Sequence, residues 1–228
     1  MPTEKQVTFA QFRQHLSDAL VDRHIDEVII HHTWKPTAAD YRGISTVRGV
    51  RRYHMQVRGW SDNGYHVMIA PTGDIFLCRP LRRAGAHVRG RNAHSIGVSF
   101  IANFDEDEPS QYGGLTTGHN VVAALLKRFA LPVSAIRFHR EFASKTCPGM
   151  KLYLSEFRRE VAEVGGQLGD EQGQSLKVVL LPENEMIECS ARLQDGVTRA
   201  DLRPLAEALG YEVHDHIGDQ GKVYLRYQ

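Results

Sequence analysis

Short apolar runs alternate with amphipathic segments through the first 165 residues of this 228-residue chain. The apolar runs have strand length, whereas the segments between them repeat apolar residues at helical spacing. The predicted strands are residues 28–30, 65–70, 75–79, 95–102 and 135–138, and the predicted helices are residues 8–20, 47–57, 116–130 and 151–164. This alternation favours an α/β fold with a mixed central sheet flanked by helices.

The composition changes at residue 165. Residues 165–175 are rich in Gly and Gln, which is typical of a linker. Beyond the linker, the pattern predicts four strands and one helix, at residues 177–181, 186–193, 198–209 (the helix), 211–216 and 222–227. The predicted organisation is a main domain at residues 1–164, a linker at 165–175 and a small C-terminal α+β module at 176–228.

Bulk properties exclude several classes of function. A net charge of +1 gives no strong overall field for nucleic acid, so no nucleic-acid partner is expected. No run of about 18 apolar residues is present, so no membrane span is expected. Residues 1–5 lack the basic start and apolar run of a signal peptide, which predicts synthesis in the cytoplasm without one.

Two His residues and one Cys form a candidate metal site. His31 ends an apolar run, and His139 and Cys147 are eight residues apart, so a turn between them can bring both to one ion. Cys147 lies in a polar Lys-Thr-Cys-Pro-Gly turn, unlike Cys78 and Cys189, which lie among apolar residues. Three protein ligands with one open position are the arrangement of a catalytic zinc. The sequence therefore predicts a hydrolase with one Zn²⁺.

Five motifs appear along the chain in a fixed order. They are Val-Ile-Ile-His-His-Thr at 28–33, Gly-Tyr-His-Val at 64–67, Gly-Ala-His at 85–87, Asn-Ala-His-Ser-Ile-Gly-Val at 92–98, and His139 with Lys-Thr-Cys-Pro-Gly at 145–149. The series resembles the zinc-dependent N-acetylmuramoyl-L-alanine amidases, a family that includes phage lysozyme-type amidases and peptidoglycan recognition proteins. The resemblance covers about residues 25–155 and implies a mixed sheet with zinc in a surface groove.

The resemblance also implies roles for particular residues. His31, rather than its neighbour His32, would bind zinc together with His139 and Cys147. Tyr65 and Lys145 match catalytic positions, where a tyrosine hydroxyl can relay a proton and a lysine can stabilise an oxyanion. The alternatives are that Tyr65 only packs on the sheet and that Lys145 is only a solvated side chain.

Four further residues fall in or beside the motifs that line the groove in this family. The residues predicted to bind substrate are His32, His87, Asn92 and Trp34. His32 could instead be a core histidine, and His87 could be a loop residue without a role. Trp34 and Trp60 could each stack on sugar or simply pack.

The function implied is hydrolysis of the amide bond between N-acetylmuramic acid and L-alanine in peptidoglycan, as a phage or prophage endolysin that acts on the cell wall after release. The Lys at position 145 and the Cys at position 147 favour the phage lysozyme-type members. The alternatives are a cytosolic amidase that recycles wall fragments and a non-catalytic peptidoglycan-binding module. The C-terminal module is expected to bind a cell-wall ligand or to mediate self-association.

Overall fold

The computed structural model describes residues 4–170, 174–179, 186–194, 197–200, 211–218 and 222–227, with side chains up to residue 166. The chain divides into two compact units, Met1–Gly166 and Gln167–Gln228.

The first unit is built on a mixed sheet with α-helices between its strands. Its elements are β1 (Lys5–Val7), α1 (Phe9–Asp18), β2 (Glu27–His32), α2 (Ile44–Gln56), β3 (Val67–Ile69), β4 (Ile75–Leu77), β5 (Ser95–Phe100), α3 (Leu115–Arg128), β6 (Ile136–Phe138) and α4 (Leu154–Asp170), which continues into the second unit. Four short 3₁₀ helices join them, at Ala38–Asp40, Pro109–Gln111, Val133–Ala135 and His139–Glu141.

The strand order across the sheet is β1-β4-β3-β5-β2-β6. The four consecutive strands β3, β5, β2 and β6 run parallel to one another, whereas β4 pairs antiparallel with β3 and with β1. Every residue of β2 and β5 is buried, as expected for central parallel strands covered on both faces. This arrangement confirms the predicted mixed sheet flanked by helices.

Aromatic rings fill the core between the sheet and the helices. Phe100 on β5 packs against Phe104 and against Phe157 of α4, with ring centroids 5.6 and 6.2 Å apart. Phe157 also contacts Phe138 at the end of β6. Gly118 of α3 lies directly against the Phe100 ring, and a Cβ at this position would overlap it. The glycine therefore allows close approach of α3 to β5.

The ends of the four helices of the first unit differ from the sequence prediction by one to six residues. Thr8 caps α1, since its hydroxyl accepts from Gln11 N at 3.2 Å while its own N donates to the Gln11 side chain at 2.9 Å. The first strand, Lys5–Val7, was not predicted, and the last helix begins at Leu154 rather than at residue 151.

In the second unit the described residues form five strands. They are β7 (Gln174–Val179), β8 (Met186–Gln194), β9 (Val197–Ala200), β10 (Tyr211–Gly218) and β11 (Lys222–Tyr227). Antiparallel pairing joins β7, β8 and β9 into one sheet and β10 with β11 into another. The four predicted strands correspond to β7, β8, β10 and β11.

Two predictions around the second unit need correction. The predicted linker begins at residue 165, but α4 continues to Asp170, because its backbone keeps helical hydrogen bonding through the glycines. The helix predicted at 198–209 does not begin at Thr198, since Val197–Ala200 pairs with β8 as a strand. The rest of that predicted helix lies outside the described residues. Among the described helices, none has the length and apolarity needed to cross a bilayer.

Candidate active site

Three potential metal ligands meet where the parallel strands β2 and β6 end. His31 lies near the carboxyl end of β2, and His139 directly follows β6. Because neighbouring parallel strands share one carboxyl edge, their pairing brings the two imidazoles together. The ring centroids are 4.7 Å apart. Cys147 reaches the same place from the turn that follows the 3₁₀ helix after β6.

The ligand atoms of His31, His139 and Cys147 all lie within 4.8 Å of one another. Cys147 Sγ is 3.6 Å from His31 Nδ1. A tetrahedral zinc ion with ordinary Zn–N and Zn–S bond lengths holds such a pair about 3.6 Å apart. Two imidazoles and a thiol are also a donor set that zinc accepts. The three residues therefore form a potential His-His-Cys metal site.

Burial shifts the pKa of each of the three groups in the direction that favours the neutral form of the group. Burial, followed by the charges of His87 and His139, lowers the pKa of His31 well below its usual range. Burial and then Lys145 lower the pKa of His139. Burial raises the pKa of the Cys147 thiol to about 12. Both imidazoles are thus ready as neutral ligands, whereas a cation must displace the thiol proton when it binds.

The turn that carries Cys147 is held by two neighbouring segments. Asp105 accepts hydrogen bonds from Thr146 Oγ1 at 2.6 Å and from Met150 N at 2.9 Å, one on each side of the cysteine. Arg140 N donates to Cys147 O at 2.7 Å. These bonds fix the position of the thiol relative to the ends of the strands.

A cleft of about 960 Å³ opens beside the potential metal site. Tyr65 lines it, with its ring centroid 5.1 Å from that of His31. Burial and then the charge of Cys147 raise the pKa of Tyr65, so its hydroxyl stays protonated at neutral pH. Lys145 lines the cleft and is exposed. Trp34 also lines it, with 59% of its surface exposed and a φ of 60°, which is rare for a bulky residue.

A model of the N-acetylmuramoyl-L-alanine amidase family matches residues 21–150, which is more than half of the chain and includes all three potential ligands. The chain belongs to the N-acetylmuramoyl-L-alanine amidase family. The resemblance carried by the five sequence motifs is thereby confirmed.

Sequence relatives of this family member include enzymes and recognition proteins. The N-acetylmuramoyl-L-alanine amidase of Homo sapiens is 30% identical over 129 residues, which are 54% of this chain and 22% of the human protein. The chain thus spans less than a quarter of that relative. Peptidoglycan-recognition protein SC2 of Drosophila melanogaster is 26% identical over 147 residues, covering 62% of this chain and 77% of the fly protein.

The solved structures that resemble this chain likewise include both an amidase and a recognition protein. The N-acetylmuramoyl-L-alanine amidase LysC from Clostridium intestinale is 26% identical with a TM-score of 0.51, covering 61% of this chain and 87% of LysC. A Drosophila PGRP-LB mutant in complex with tracheal cytotoxin is 26% identical with a TM-score of 0.52, covering 61% of this chain and 88% of PGRP-LB. Family membership therefore leaves both hydrolysis and recognition open.

His32 occupies a different environment from the other predicted site residues of this amidase-family domain. Its ring is buried, its Nδ1 accepts from Phe104 N at 3.1 Å, and it is not among the described residues that line the cleft. Burial, opposed by Asp105 and Asp107, lowers the pKa of His32 to about 4. This placement favours the core role over the predicted substrate contact.

His87 and Asn92 both line the cleft, and Asn92 also orders the loop that carries His87. Asn92 Oδ1 accepts from His87 N at 2.8 Å and from Val88 N at 2.9 Å. His87 Nδ1 lies 3.0 Å from His31 Nε2. Contact of His87 and Asn92 with substrate stays a prediction.

The sequence prediction missed two aromatic residues of the cleft, Tyr53 and Phe142. Tyr53 lies on α2 with 52% of its surface exposed, and an aromatic residue on the polar side of a helix was a usable signal. Phe142 contacts two guanidinium groups, with Arg91 4.6 Å and Arg137 5.0 Å from its ring centroid. Arg91 is distant in sequence, so no local pattern could indicate this contact.

Proposed function

We propose that this protein is a zinc-dependent N-acetylmuramoyl-L-alanine amidase that cleaves the bond between N-acetylmuramic acid and L-alanine in peptidoglycan. One observation carries the proposal. The potential ligands His31, His139 and Cys147 lie together beside a cleft that also contains Tyr65 and Lys145. A protein that only recognises peptidoglycan needs a cleft but has no need of an intact ligand set with a lysine and a tyrosine beside it.

His31, His139 and Cys147 would hold one Zn²⁺. When bound, zinc supplies Lewis-acid polarisation of the amide carbonyl and lowers the pKa of a water molecule. The donor types and the 3.6 Å separation of Cys147 Sγ and His31 Nδ1 agree with zinc.

The two remaining polar groups have complementary tasks in amide hydrolysis. Attack on the carbonyl places negative charge on its oxygen, and the Lys145 ammonium, exposed in the cleft, stabilises that charge. The Tyr65 oxygen accepts a hydrogen bond from the attacking water, and it takes up the proton of that water as its own hydroxyl proton moves to the departing amine nitrogen. Because the raised pKa of Tyr65 keeps its hydroxyl protonated, it acts as a donor and relay and not as a phenolate base.

The cleft has the size and lining for a glycopeptide. Trp34 and Tyr53 are exposed aromatic residues on its wall and offer stacking surfaces for sugar rings. Asn92 and His87 contribute polar atoms near the metal site. We assign the sugar to the aromatic wall and the stem peptide to the polar side.

The test is digestion of purified sacculi with and without a chelator. The expected products are new L-alanine amino termini without new reducing sugar ends, and their appearance stops with chelator and returns with added zinc. Wild-type protein should carry one zinc per chain, and Cys147→Ser should lose most of it. Tight binding to sacculi without new amino termini would support the recognition alternative instead.

We also propose the role of a phage or prophage endolysin, made in the cytoplasm and acting on the wall after release. The support is the sequence resemblance, in which Lys145 and Cys147 follow the phage lysozyme-type members. Expression inside bacteria should cause lysis only when a membrane pore is supplied. A recycling amidase would instead cleave soluble muropeptides and leave intact sacculi untouched.

For the C-terminal unit we propose attachment to the cell wall or self-association. A chain that ends at Asp170, where α4 ends, can be compared with the full chain on soluble muropeptides and on sacculi. Loss of rate on sacculi alone supports attachment, because tethering raises the local substrate concentration. Equal rates with a change of oligomeric state support self-association.

A further inference from the structure

His87 lies in a confined position behind the potential metal ligand His31. The ring is buried and packs against the backbone of two glycines, Gly85 and Gly97. A Cβ on Gly97 would lie 2.7 Å from His87 Cδ2, so the glycine is what leaves space for the ring. The main-chain N of His87 donates a hydrogen bond to Asn92 Oδ1 at 2.8 Å. The imidazole therefore has little freedom to swing into the cleft.

Each nitrogen of the His87 ring faces one polar atom. Nδ1 is 3.0 Å from His31 Nε2, and Nε2 is 3.4 Å from Ser95 Oγ. Ser95 Oγ also donates to Arg91 O at 2.9 Å. The four residues thus form a continuous chain that begins at a backbone carbonyl and ends at the metal site.

The direction of donation along this chain follows from the Ser95 hydroxyl. The Ser95 hydroxyl carries one proton, and the carbonyl of Arg91 can only accept a hydrogen bond. The hydroxyl proton therefore lies in the 2.9 Å bond to Arg91 O. Ser95 Oγ must then accept from His87 Nε2–H. A neutral imidazole protonated on Nε2 has an acceptor at Nδ1, so His87 accepts from His31 Nε2–H. The remaining lone pair of His31 is on Nδ1, the atom that lies 3.6 Å from Cys147 Sγ.

We propose that Ser95 and His87 are positioning residues that hold His31 as the tautomer whose Nδ1 is free to bind the metal. This role rests on the proposed metal centre and extends it. It also changes the task of His87, from contact with substrate to orientation of a ligand. The opposite direction of donation would put the proton on His31 Nδ1 and block the metal site. Groups that orient a ligating imidazole in this way typically raise metal affinity by about 10- to 100-fold.

A matched pair of variants tests the proposal. His87→Asn keeps an acceptor oxygen near the position of Nδ1, whereas His87→Leu has nearly the same shape without it. Zinc affinity is measured on the metal-free proteins by competition with a chromophoric chelator. The expected result is a loss of about 10- to 100-fold in affinity for His87→Leu, and retention within a few-fold for His87→Asn. Equal affinity of wild type and His87→Leu would overturn the proposal.

Kinetics separate orientation from substrate contact. If His87 touched substrate, His87→Leu would raise KM while zinc affinity stayed unchanged, and this outcome would also overturn the proposal. Should His87→Leu fail to fold, Ser95→Ala serves as the second variant, because it removes the acceptor that fixes the His87 tautomer. We expect Ser95→Ala to weaken zinc binding several-fold. Unchanged zinc affinity would contradict the proposed hydrogen-bond chain from Ser95 through His87 to His31.

A spectroscopic measurement does not depend on the metal. Two-bond ¹H–¹⁵N spectra of the metal-free protein distinguish the tautomers of individual imidazoles. Both His31 and His87 are expected to carry their proton on Nε2. A proton on His31 Nδ1 in wild type would refute the orienting chain even if zinc binds and the enzyme is active. Correct tautomers in a protein that binds no zinc would refute the proposed metal centre instead.

Discussion

Two exposed lysines, Lys145 and Lys35, line the same cleft and allow a controlled test of oxyanion stabilisation. Lys145 lies two residues before Cys147, whereas Lys35 lies beside the Trp34 ring, 5.9 Å from its centroid. Lys145→Ala is expected to reduce kcat about 10²- to 10³-fold, because it removes the cation that we propose stabilises the developing charge. Zinc content and melting temperature should not change, since the side chain is exposed.

Lys35→Ala is the matched control. It removes the same charge from the same cleft, so a general electrostatic effect on substrate binding would appear in both variants as a higher KM. A kcat for Lys145→Ala within a few-fold of wild type, or an equal loss of kcat in both variants, would show that Lys145 has no specific role in catalysis.

At the residue scale the potential metal ligands and most of the cleft residues beside them were predictable, whereas the hydrogen bonds that join them were not. His31, His139 and Cys147 each belong to a motif that ends a strand or forms a turn, so local sequence marks all three. The bond between His31 and His87 joins residues 56 positions apart through a loop and has no local signal. The choice of His31 over His32 came from the resemblance and stays a prediction. In the structure the potential ligand group contains His31, whereas His32 Nδ1 accepts from Phe104 N.

Among the elements of the first unit, the helices and the apolar strands β2 to β6 were predictable, whereas the short polar strand β1 was not. The helix α3 shows clear periodicity over Leu115–Arg128 and was predicted to within two residues at each end. The strand β1 has only three residues, Lys5–Val7, which is too short to display a period, and pairing with β4 decides its conformation. Glycine misled the prediction in α4, where Gly165 and Gly166 continue the helix despite their low propensity.

The surroundings of two other helical glycines predict that the same substitution, to alanine, has opposite effects on stability. Gly118 of α3 faces the fully buried Phe100 ring, and a Cβ there would overlap it. Gly118→Ala should therefore lower the free energy of unfolding by about 1–3 kcal/mol, the usual cost of overpacking. Gly49 of α2 has only Arg52 Nη2 near the position of an added Cβ, at 3.7 Å. Gly49→Ala should therefore raise the free energy of unfolding by about 0.5–1 kcal/mol.

Urea unfolding of the two alanine variants and wild type checks this pair. Since both glycines are interior helical positions, helix propensity alone would stabilise both variants. A stabilised Gly118→Ala protein would mean that α3 does not approach β5 as closely as described.

At the scale of the whole molecule, buried histidines make stability depend on pH. His54 and His66 each accept a backbone hydrogen bond at Nδ1, from Gly64 N at 3.1 Å and Gly97 N at 3.0 Å. Burial lowers the pKa of His54 to about 4 and that of His66 to about 3. Protonation would replace an acceptor by a donor that faces another donor, so the folded protein resists it.

The sign of the pH dependence follows from these lowered values. In the unfolded chain both histidines titrate near pH 6.5, so below that pH the unfolded state binds protons that the folded state does not. Their contribution to stability is full above about pH 6.5 and is lost as the pH falls toward about 4 for His54 and about 3 for His66. Each such histidine adds a slope of up to about 1.4 kcal/mol per pH unit in this range.

The expected result is a free energy of unfolding that is flat from pH 8 to about pH 7 and falls steeply between pH 6.5 and 4. Denaturant unfolding is measured across this range in the presence of a chelator, so that protonation of the metal ligands does not compete with metal binding. His66→Asn keeps an acceptor for Gly97 N but cannot titrate, so its curve should be less steep than that of wild type by about one proton. His24→Asn is the control, because His24 is exposed, and its curve should follow wild type. An equally steep curve for His66→Asn would show that His66 is not held neutral by the fold, and that acid destabilisation arises at other groups.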